Sequence, residues 1–218
     1  RGEYVAFMDD DCTWHPERLD RIDRFLRRHD PQPAYIATQT VLVRAGPQPS
    51  YALDPELPSG ESPCRVGAPM MVVARQALLE VEGFDERLPR SHDWDLAIRL
   101  VDRFGGRLLA EPLTWAEDLP GLTTDPDKLR TASRILLEKY GRRSPVSHPL
   151  TVRLHRAFAH KMLMLEQGPE GRRHYRHAAS LAPSMMTNWA TALLAHGGGR
   201  LYRLVTGMVA RHRARREA

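Results

Sequence analysis

The chain has 218 residues, of which 42% are hydrophobic and 27% are charged, and this composition excludes disordered, collagen-like and low-complexity proteins. Its apolar runs, such as residues 70–74, are far shorter than the roughly 20 residues of a membrane-spanning helix. The two cysteines, Cys12 and Cys64, predict reduced thiols and no disulfide framework. We therefore expect a globular protein of the cytoplasm.

The formal net charge of +5 is concentrated at the C-terminus. Residues 200–218 hold six arginines and one acidic residue, whereas basic and acidic residues balance over 1–199. A protein that binds nucleic acid through its fold usually spreads a basic face over that fold. No nucleic-acid partner is therefore expected.

Strand and helix patterns alternate in the first half of the chain. Residues 4–8 form a short apolar run rich in strand formers, which is typical of a buried parallel strand. Pro16 then opens an amphipathic helix that stops at Asp30 and Pro31, and a second strand is predicted over 34–43. The predicted apolar face of that helix carries Leu19, Ile22, Phe25 and Leu26.

A stretch rich in Pro, Gly and Ser over 46–63 predicts a long loop, and loops of this length are usually lids or binding segments. The next predicted elements are a strand over 67–74, helices over 76–81 and 93–104, and a strand over 107–115. This alternation predicts an α/β domain over 1–120.

Only helical patterns follow residue 120. They cover 126–140, 148–166, 170–181, 184–196 and 200–213. Residues 121–218 are therefore predicted to form an α-helical C-terminal region, with Met185 and Met186 in its core.

Three adjacent carboxylates, Asp9, Asp10 and Asp11, follow the first predicted strand. Ligands of open α/β sheets bind outside the carboxyl ends of the strands, and a hard divalent cation such as Mg²⁺ or Mn²⁺ makes crowded carboxylates favourable. Side chains alternate along an extended segment, so Asp9 and Asp11 are the expected pair. The alternative is a solvated acidic turn.

The segment from Ser91 to Leu96 opens the helix predicted over 93–104. Its apolar stripe directs Asp93 inward, and the helix dipole there favours an ionised carboxylate, the form that accepts a proton. The alternative role for Asp93 is an N-terminal helix cap. Asp95 is predicted to point away, towards a surface pair with Arg99. His92 has no cysteine or histidine at ligand spacing, which argues against zinc.

Together these segments resemble a known family. The run GEYVAFMDDDCTWHPERL (2–19) and the run GAPMMVVARQALLEVEGFDERLPRSHDWDLAIRL (67–100) resemble inverting family 2 glycosyltransferases of the GT-A fold, in both order and spacing. The resemblance covers about residues 1–118. It implies a partial GT-A-like, Rossmann-like sheet with flanking helices.

The resemblance also implies roles for the acidic residues. Asp9, Asp10 and Asp11 would bind the sugar nucleotide, Asp9 and Asp11 would hold Mn²⁺ or Mg²⁺, and Asp93 would be the catalytic base. The donor would be a UDP-, GDP- or dTDP-sugar. The acceptor would be a saccharide, a lipid-linked molecule or a protein.

Other residues would support the acceptor side, namely His92, Trp94, Asp95, Gly67 and Ala68. His92 stands where the family often has Glu. No histidine follows Trp115 to complete the metal shell, and the expected substitutes are Glu117, Asp118 or water.

The family's fold begins with strand-helix units that form most of the nucleotide pocket, whereas this sequence starts just before the metal motif. We therefore expect a fragment of a longer glycosyltransferase, impaired on its own, in which the strand over 3–8 has an exposed edge.

The basic C-terminal segment has an amphipathic pattern over 200–213. Such a helix lies on an anionic membrane surface, here the inner face, or docks its apolar stripe on the preceding helix.

Two other classes of function fit the aspartates. A metal-dependent nucleotidyltransferase or phosphohydrolase also clusters aspartates at strand ends. A non-catalytic binding or scaffold protein would use them only as caps and turns.

Overall fold

The computed structural model describes residues 2–43, 51–53, 67–117, 125–141 and 149–214. The chain forms two compact units, Arg1–Pro120 and Gly121–Ala218. Their boundary falls where the sequence changes from alternating strands and helices to helices alone.

Unit 1 is a mixed α/β domain, so the predicted class is confirmed. Its elements are β1 (Tyr4–Ala6), β2 (Cys12–Trp14), α1 (Arg18–Arg27), β3 (Tyr35–Val43), β4 (Tyr51–Leu53), a 3₁₀ turn (Ala68–Met70), β5 (Met71–Ala74), α2 (Arg75–Glu80), α3 (His92–Phe104) and β6 (Arg107–Glu117). The sheet has the order β1-β5-β3-β6-β2, and β4 pairs with β3. One core cluster comprises Ile22, Leu26, Ile36, Val72, Leu109 and Leu113.

The sheet is mixed, and the prediction of a parallel first strand is wrong. β1 pairs antiparallel with β5, its one partner among the described residues, and only β3 and β6 are parallel. The strand is also half-buried and not buried as predicted, and an apolar run carries no information on strand direction. Because β5 is antiparallel to both of its neighbours, β1, β3 and β6 all run the same way. Their carboxyl ends therefore share one edge of the sheet.

Several predicted elements of unit 1 differ in detail. β2 was not predicted, β4 lies inside the predicted loop over 46–63, and the rest of that loop lies outside the described residues. The strand predicted from residue 67 begins only at Met71, because the turn Ala68–Met70 precedes it and contains Pro69.

The predicted apolar face of α1 is correct for Ile22, Phe25 and Leu26, which lie in or against the core, and wrong for Leu19. Leu19 is 61% exposed, whereas Arg18, Ile22 and Leu26 are buried at i, i+4 and i+8. Arg18 lies inside because polar groups of β3, β6 and the 3₁₀ turn accept its hydrogen bonds.

Unit 2 is helical, with boundaries close to those predicted. Its helices are α4 (Pro126–Tyr140), α5 (Pro149–Met164), α6 (Gly168–Leu181), α7 (Met186–His196) and α8 (Gly199–Ala214). A core cluster joins α5, α6, α7 and α8 through Ala159, Leu163, Tyr175, Ala192, Ala195 and Tyr202. None of the helices in the described part of the chain is long and apolar enough to cross a membrane.

The outer faces of α7 and α8 expose large apolar side chains. These are Met185, Met186, Trp189, Leu193, Leu201, Leu204 and Met208. The core position predicted for Met185 and Met186 is therefore wrong. Among the α8 side chains that the structure describes, Tyr202 is buried in the core, whereas Leu201, Leu204 and Met208 of the predicted apolar stripe are exposed.

Candidate functional site

The segment 7–11 carries the three aspartates between β1 and β2. It turns rather than continuing extended, and the Cys12 amide donates to the Asp9 carbonyl at 3.2 Å. The turn brings ligand atoms of Asp9, Asp11 and Cys12 within 4.8 Å of one another. Asp9 and Asp11 are thus together, and Asp10 lies outside the group.

The carboxylate of Asp9 is in an unfavourable electrostatic environment. Burial raises its pKa first, and the negative charges of Asp11 and Asp93 raise it further, while His92 lowers it. Asp93 belongs to α3, so the fold brings the two acidic motifs of the sequence to one place. Like charges of this kind favour a bound cation.

Cys12 is the unexpected member of the cluster. Its thiol Sγ donates to Asp11 Oδ1 at 3.3 Å, and burial together with this hydrogen bond raises the thiol pKa to about 12. In the metal-free chain the thiol is therefore protonated at neutral pH. The oxygen donors are Asp9 and Asp11, a set that suits hard cations such as Mg²⁺ or Mn²⁺.

Asp93 occupies the second position of α3 and is not the helix cap. The cap position is Ser91, with φ of 56°, and its side chain makes no capping hydrogen bond. Asp93 Oδ1 instead accepts from the Trp94 amide at 2.8 Å. A Cβ built on Gly67 would lie 4.0 Å from Asp93 Oδ2. Gly67 therefore borders the Asp93 carboxylate, while Ala68 next to it is buried.

The surface position predicted for Asp95 is wrong. Its pairing with Arg99 is confirmed at 2.8 Å, but the Asp95 side chain is fully buried. Arg99 also donates to the carbonyls of Gly83, at 2.6 Å, and Val81. The Asp95–Arg99 pair therefore links α3, the helix that carries Asp93, to the turn that follows α2.

Aromatic contacts link the two acidic segments. Phe7 packs edge-on against Phe84 at 5.2 Å between ring centroids, and Phe84 packs edge-on against His92, also at 5.2 Å. The start of α3 is thereby tied to the segment 7–11. No spacing pattern in the sequence predicted these ring contacts.

Arg18 is the buried cation that sequence reasoning missed. It donates to Thr38 Oγ1 at 3.0 Å and to the Pro69 carbonyl at 2.9 Å, and it faces the ring of Trp14 at 5.1 Å. Burial lowers its pKa to about 10, so it stays charged at neutral pH. Arg18 anchors the 3₁₀ turn that follows Gly67. Its position at i−4 from Ile22 was the available signal.

The expected third metal ligands cannot be placed by their side chains. The register of β2 and β6 sets Ala116 opposite Cys12, and Glu117 follows as the last residue of β6. The side chain of Glu117, and all of Asp118, lie outside the described residues.

No protein-family model matches the sequence, and no curated protein matches it. Function is therefore inferred from the chemistry of these residues.

Proposed function

We propose that the chain is a metal-dependent inverting glycosyltransferase whose unit 1 is a GT-A-like domain. The observation that carries the proposal is the meeting of three carboxylates from two distant segments. Asp9 and Asp11 have ligand atoms within 4.8 Å, and Asp93 is close enough for its charge to raise the Asp9 pKa.

The proposed division of labour follows from the surroundings of each carboxylate. Asp9 and Asp11 would hold Mn²⁺ or Mg²⁺, whose charge would offset the negative charge of a departing diphosphate. Asp93 would accept the proton of an acceptor hydroxyl. The acceptor oxygen then bonds to the anomeric carbon, while the bond from that carbon to the diphosphate breaks and leaves its electron pair on the diphosphate oxygen.

The residues around Asp93 would orient its carboxylate for proton transfer. The Trp94 amide donates to Oδ1, and Oδ2 lies beside Gly67. The absence of a side chain at Gly67 leaves room for an acceptor at that oxygen. His92 contacts Phe84, and the Asp95–Arg99 pair fixes the helix behind Asp93. A UDP-, GDP- or dTDP-sugar would be the donor, and a saccharide, lipid-linked or protein hydroxyl the acceptor.

The substitution Asp93→Asn tests the base. It removes the proton acceptor with little change in shape, and we expect transfer from a panel of UDP-, GDP- and dTDP-sugars to fall by about 10²- to 10⁴-fold. Mn²⁺ binding, measured by calorimetry, should be retained. Asp102→Asn, on the exposed side of the same helix, is the control. Equal transfer by both variants would exclude Asp93 as the base.

The double substitution Asp9→Asn and Asp11→Asn tests the metal. We expect Mn²⁺ binding to be lost, because the carboxylate oxygens of the cluster are removed. Release of inorganic phosphate without sugar transfer by the unaltered chain would instead indicate a phosphohydrolase. Neither metal binding nor turnover would indicate a scaffold protein.

We further propose that α7 and α8 lie against an anionic lipid surface. Trp189, Leu193 and Leu204 are 46%, 72% and 59% exposed, and the adjoining C-terminal segment is rich in arginine. Co-sedimentation with phosphatidylglycerol vesicles, but not with phosphatidylcholine vesicles, is expected. Leu193→Glu should weaken it, whereas Leu79→Glu, at an exposed position of unit 1, should not. Equal pelleting of both variants would contradict the proposal.

A further inference from the structure

A second charged site lies within unit 2. A cavity of about 410 Å³ opens among α4, α5 and α6, a volume in the range of small-molecule pockets. Three arginines line it, Arg130, Arg134 and Arg173, and three histidines, His155, His174 and His177. No motif in the sequence indicated this cluster.

One acidic residue lines the cavity, and it is already neutralised. Arg130 Nε donates to both carboxylate oxygens of Glu170 at 2.8 Å, and Arg130 Nη2 donates to Gln167 Oε1 at 2.7 Å. The Arg130 guanidinium is thereby fixed in place. Arg134 and Arg173 have no further acidic partner among the residues that line the cavity.

Those two arginines are weakly compensated outside the cavity as well. Arg134 approaches Glu138 at 3.5 Å, and both side chains are more than half exposed, so solvent screens that pair. The ion pairs found among the described residues include none to Arg173. Arg130 also pairs with Asp127, so the positive charge at the cavity comes from Arg173 and from the weakly paired Arg134.

The three histidines form a polar wall of the cavity. The Nδ1 atoms of His155 and His174 lie 2.9 Å apart, so one ring donates and the other accepts, and the His177 ring stacks on His155 at 5.2 Å. Burial, reinforced by His174 and His177, lowers the His155 pKa to about 4. Burial, His177 and Arg173 lower the His174 pKa against the opposing effect of Glu170.

We propose that this cavity binds an anion of the phosphate class, either free phosphate or the terminal phosphate of a small molecule. Arginine guanidinium groups match the oxygens of phosphate in geometry, and the double charge of phosphate matches the two arginines that Glu170 does not offset. A bound anion would also favour protonation of the histidine pair, because it adds the negative charge that these rings lack. The proposal does not depend on the activity of unit 1.

Calorimetric titration of the full chain with inorganic phosphate and with sulfate, at constant ionic strength, tests the proposal. We expect saturable binding that weakens by about tenfold or more in Arg134→Gln and in Arg173→Gln. Both side chains reach solvent, so these variants should fold, which circular dichroism checks. Arg24→Gln, an exposed arginine of α1, is the matched control. Equal affinity in all three variants, or no saturable binding, overturns the proposal.

Sulfate adds a second readout, because its charge is constant near neutral pH and any pH dependence then belongs to the protein. We expect sulfate affinity to rise several-fold between about pH 7.5 and about pH 5.5, and this rise to be smaller in His174→Asn. The charged groups facing the pair are Arg130 and Arg134 from α4, and Glu170, Arg173 and His177 from α6. An affinity independent of pH in the unaltered chain would contradict a role for the histidines.

Two probes then distinguish a lipid headgroup from free phosphate as the source of the bound group. Vesicles that contain phosphatidic acid present it at a membrane, and soluble phosphate presents it free. Pelleting with these vesicles that is lost in Arg173→Gln supports a lipid headgroup, whereas binding of soluble phosphate alone supports a free ligand. Binding of neither probe overturns the proposal.

Discussion

Unit 1 and unit 2 each gather like charges, but of opposite sign. Partial burial and the neighbouring carboxylates raise the pKa of Asp9, whereas burial and the neighbouring histidines lower the pKa of His155. In each case the shift moves the group towards its uncharged form, because the charge is not compensated by the protein. The compensating charge that is missing is positive in unit 1 and negative in unit 2. The acidic cluster of unit 1 therefore suits a cation, and the cavity of unit 2 suits an anion.

The comparison depends on compensation, and Asp95 is a fully buried carboxylate of unit 1 that has it. Asp95→Ala removes the ion pair of the partly buried Arg99, and we expect a loss of about 3–5 kcal/mol in the free energy of unfolding of unit 1. Urea unfolding followed by tryptophan fluorescence measures it, because Trp14, Trp94 and Trp115 belong to unit 1.

The control is an aspartate that pairs with an arginine at the same i, i+4 spacing but on the exposed surface. Asp20 pairs with Arg24 at i, i+4 on the exposed face of α1, so Asp20→Ala should cost about 0.5 kcal/mol or less. Similar losses in the two variants would show that burial does not decide what a carboxylate of unit 1 contributes.

The next largest effect is on the pH dependence of unit 2. His155 has a pKa of about 4 in the folded chain against an ordinary value near 6.5, so the folded state binds fewer protons than the unfolded state between these values. Stability is therefore full above about pH 6.5 and falls towards pH 4, by about 2 kcal/mol after allowance for solvent screening. Helical circular dichroism during urea unfolding, from about pH 7.5 to about pH 4.5, measures this loss.

Two comparisons sharpen that result. His155→Gln should reduce the acid destabilisation, whereas His196→Gln, at an exposed position of α7 that bonds the Ala192 carbonyl, should leave it unchanged. Added sulfate should also reduce it if the cavity binds anions. Identical pH profiles for both variants would assign the acid sensitivity to other groups.

A smaller effect concerns the helix that carries two arginines of the cavity. The Asp125 side chain accepts from the amides of Asp127 and Lys128 at 2.9 and 3.2 Å and so caps α4. Asp125→Ala should cost about 1 kcal/mol of unfolding free energy, and Asp125→Asn, which keeps the capping oxygen, much less. Urea unfolding of the two variants measures the difference, and equal losses would exclude capping as the cause.

The two charged sites also differ in how far the sequence could predict them. Asp9, Asp10 and Asp11 are adjacent, so a site at the end of a strand was predictable from one line of sequence. The cavity of unit 2 assembles side chains from three helices, and helical periodicity predicts where α4 lies but not which helices pack beside it.

The errors within unit 1 have specific physical causes. The direction of β1 was mispredicted because hydrophobicity does not encode strand direction. Asp95 was predicted at the surface because its partner, Arg99, is of a residue type that is usually solvated. Arg18 was passed over for the same reason, since only tertiary contacts with Thr38 and Pro69 make a buried guanidinium favourable. Charged residues inside the fold were thus the least predictable part.

The smallest predicted effect has the opposite sign to the others. Asp9→Asn removes a carboxylate that its surroundings disfavour, so in the presence of EDTA it should stabilise unit 1 by roughly 0.5 kcal/mol, a small gain because solvent screens the exposed group. Asp10→Asn, outside the cluster, should change stability less. If Asp9→Asn both stabilises the metal-free chain and weakens Mn²⁺ binding, the crowding of carboxylates is kept for the cation, since folding alone would favour its removal. A destabilised Asp9→Asn would instead mean that the carboxylate serves the turn before β2, and the contrast with the cavity of unit 2 would then rest on His155 alone.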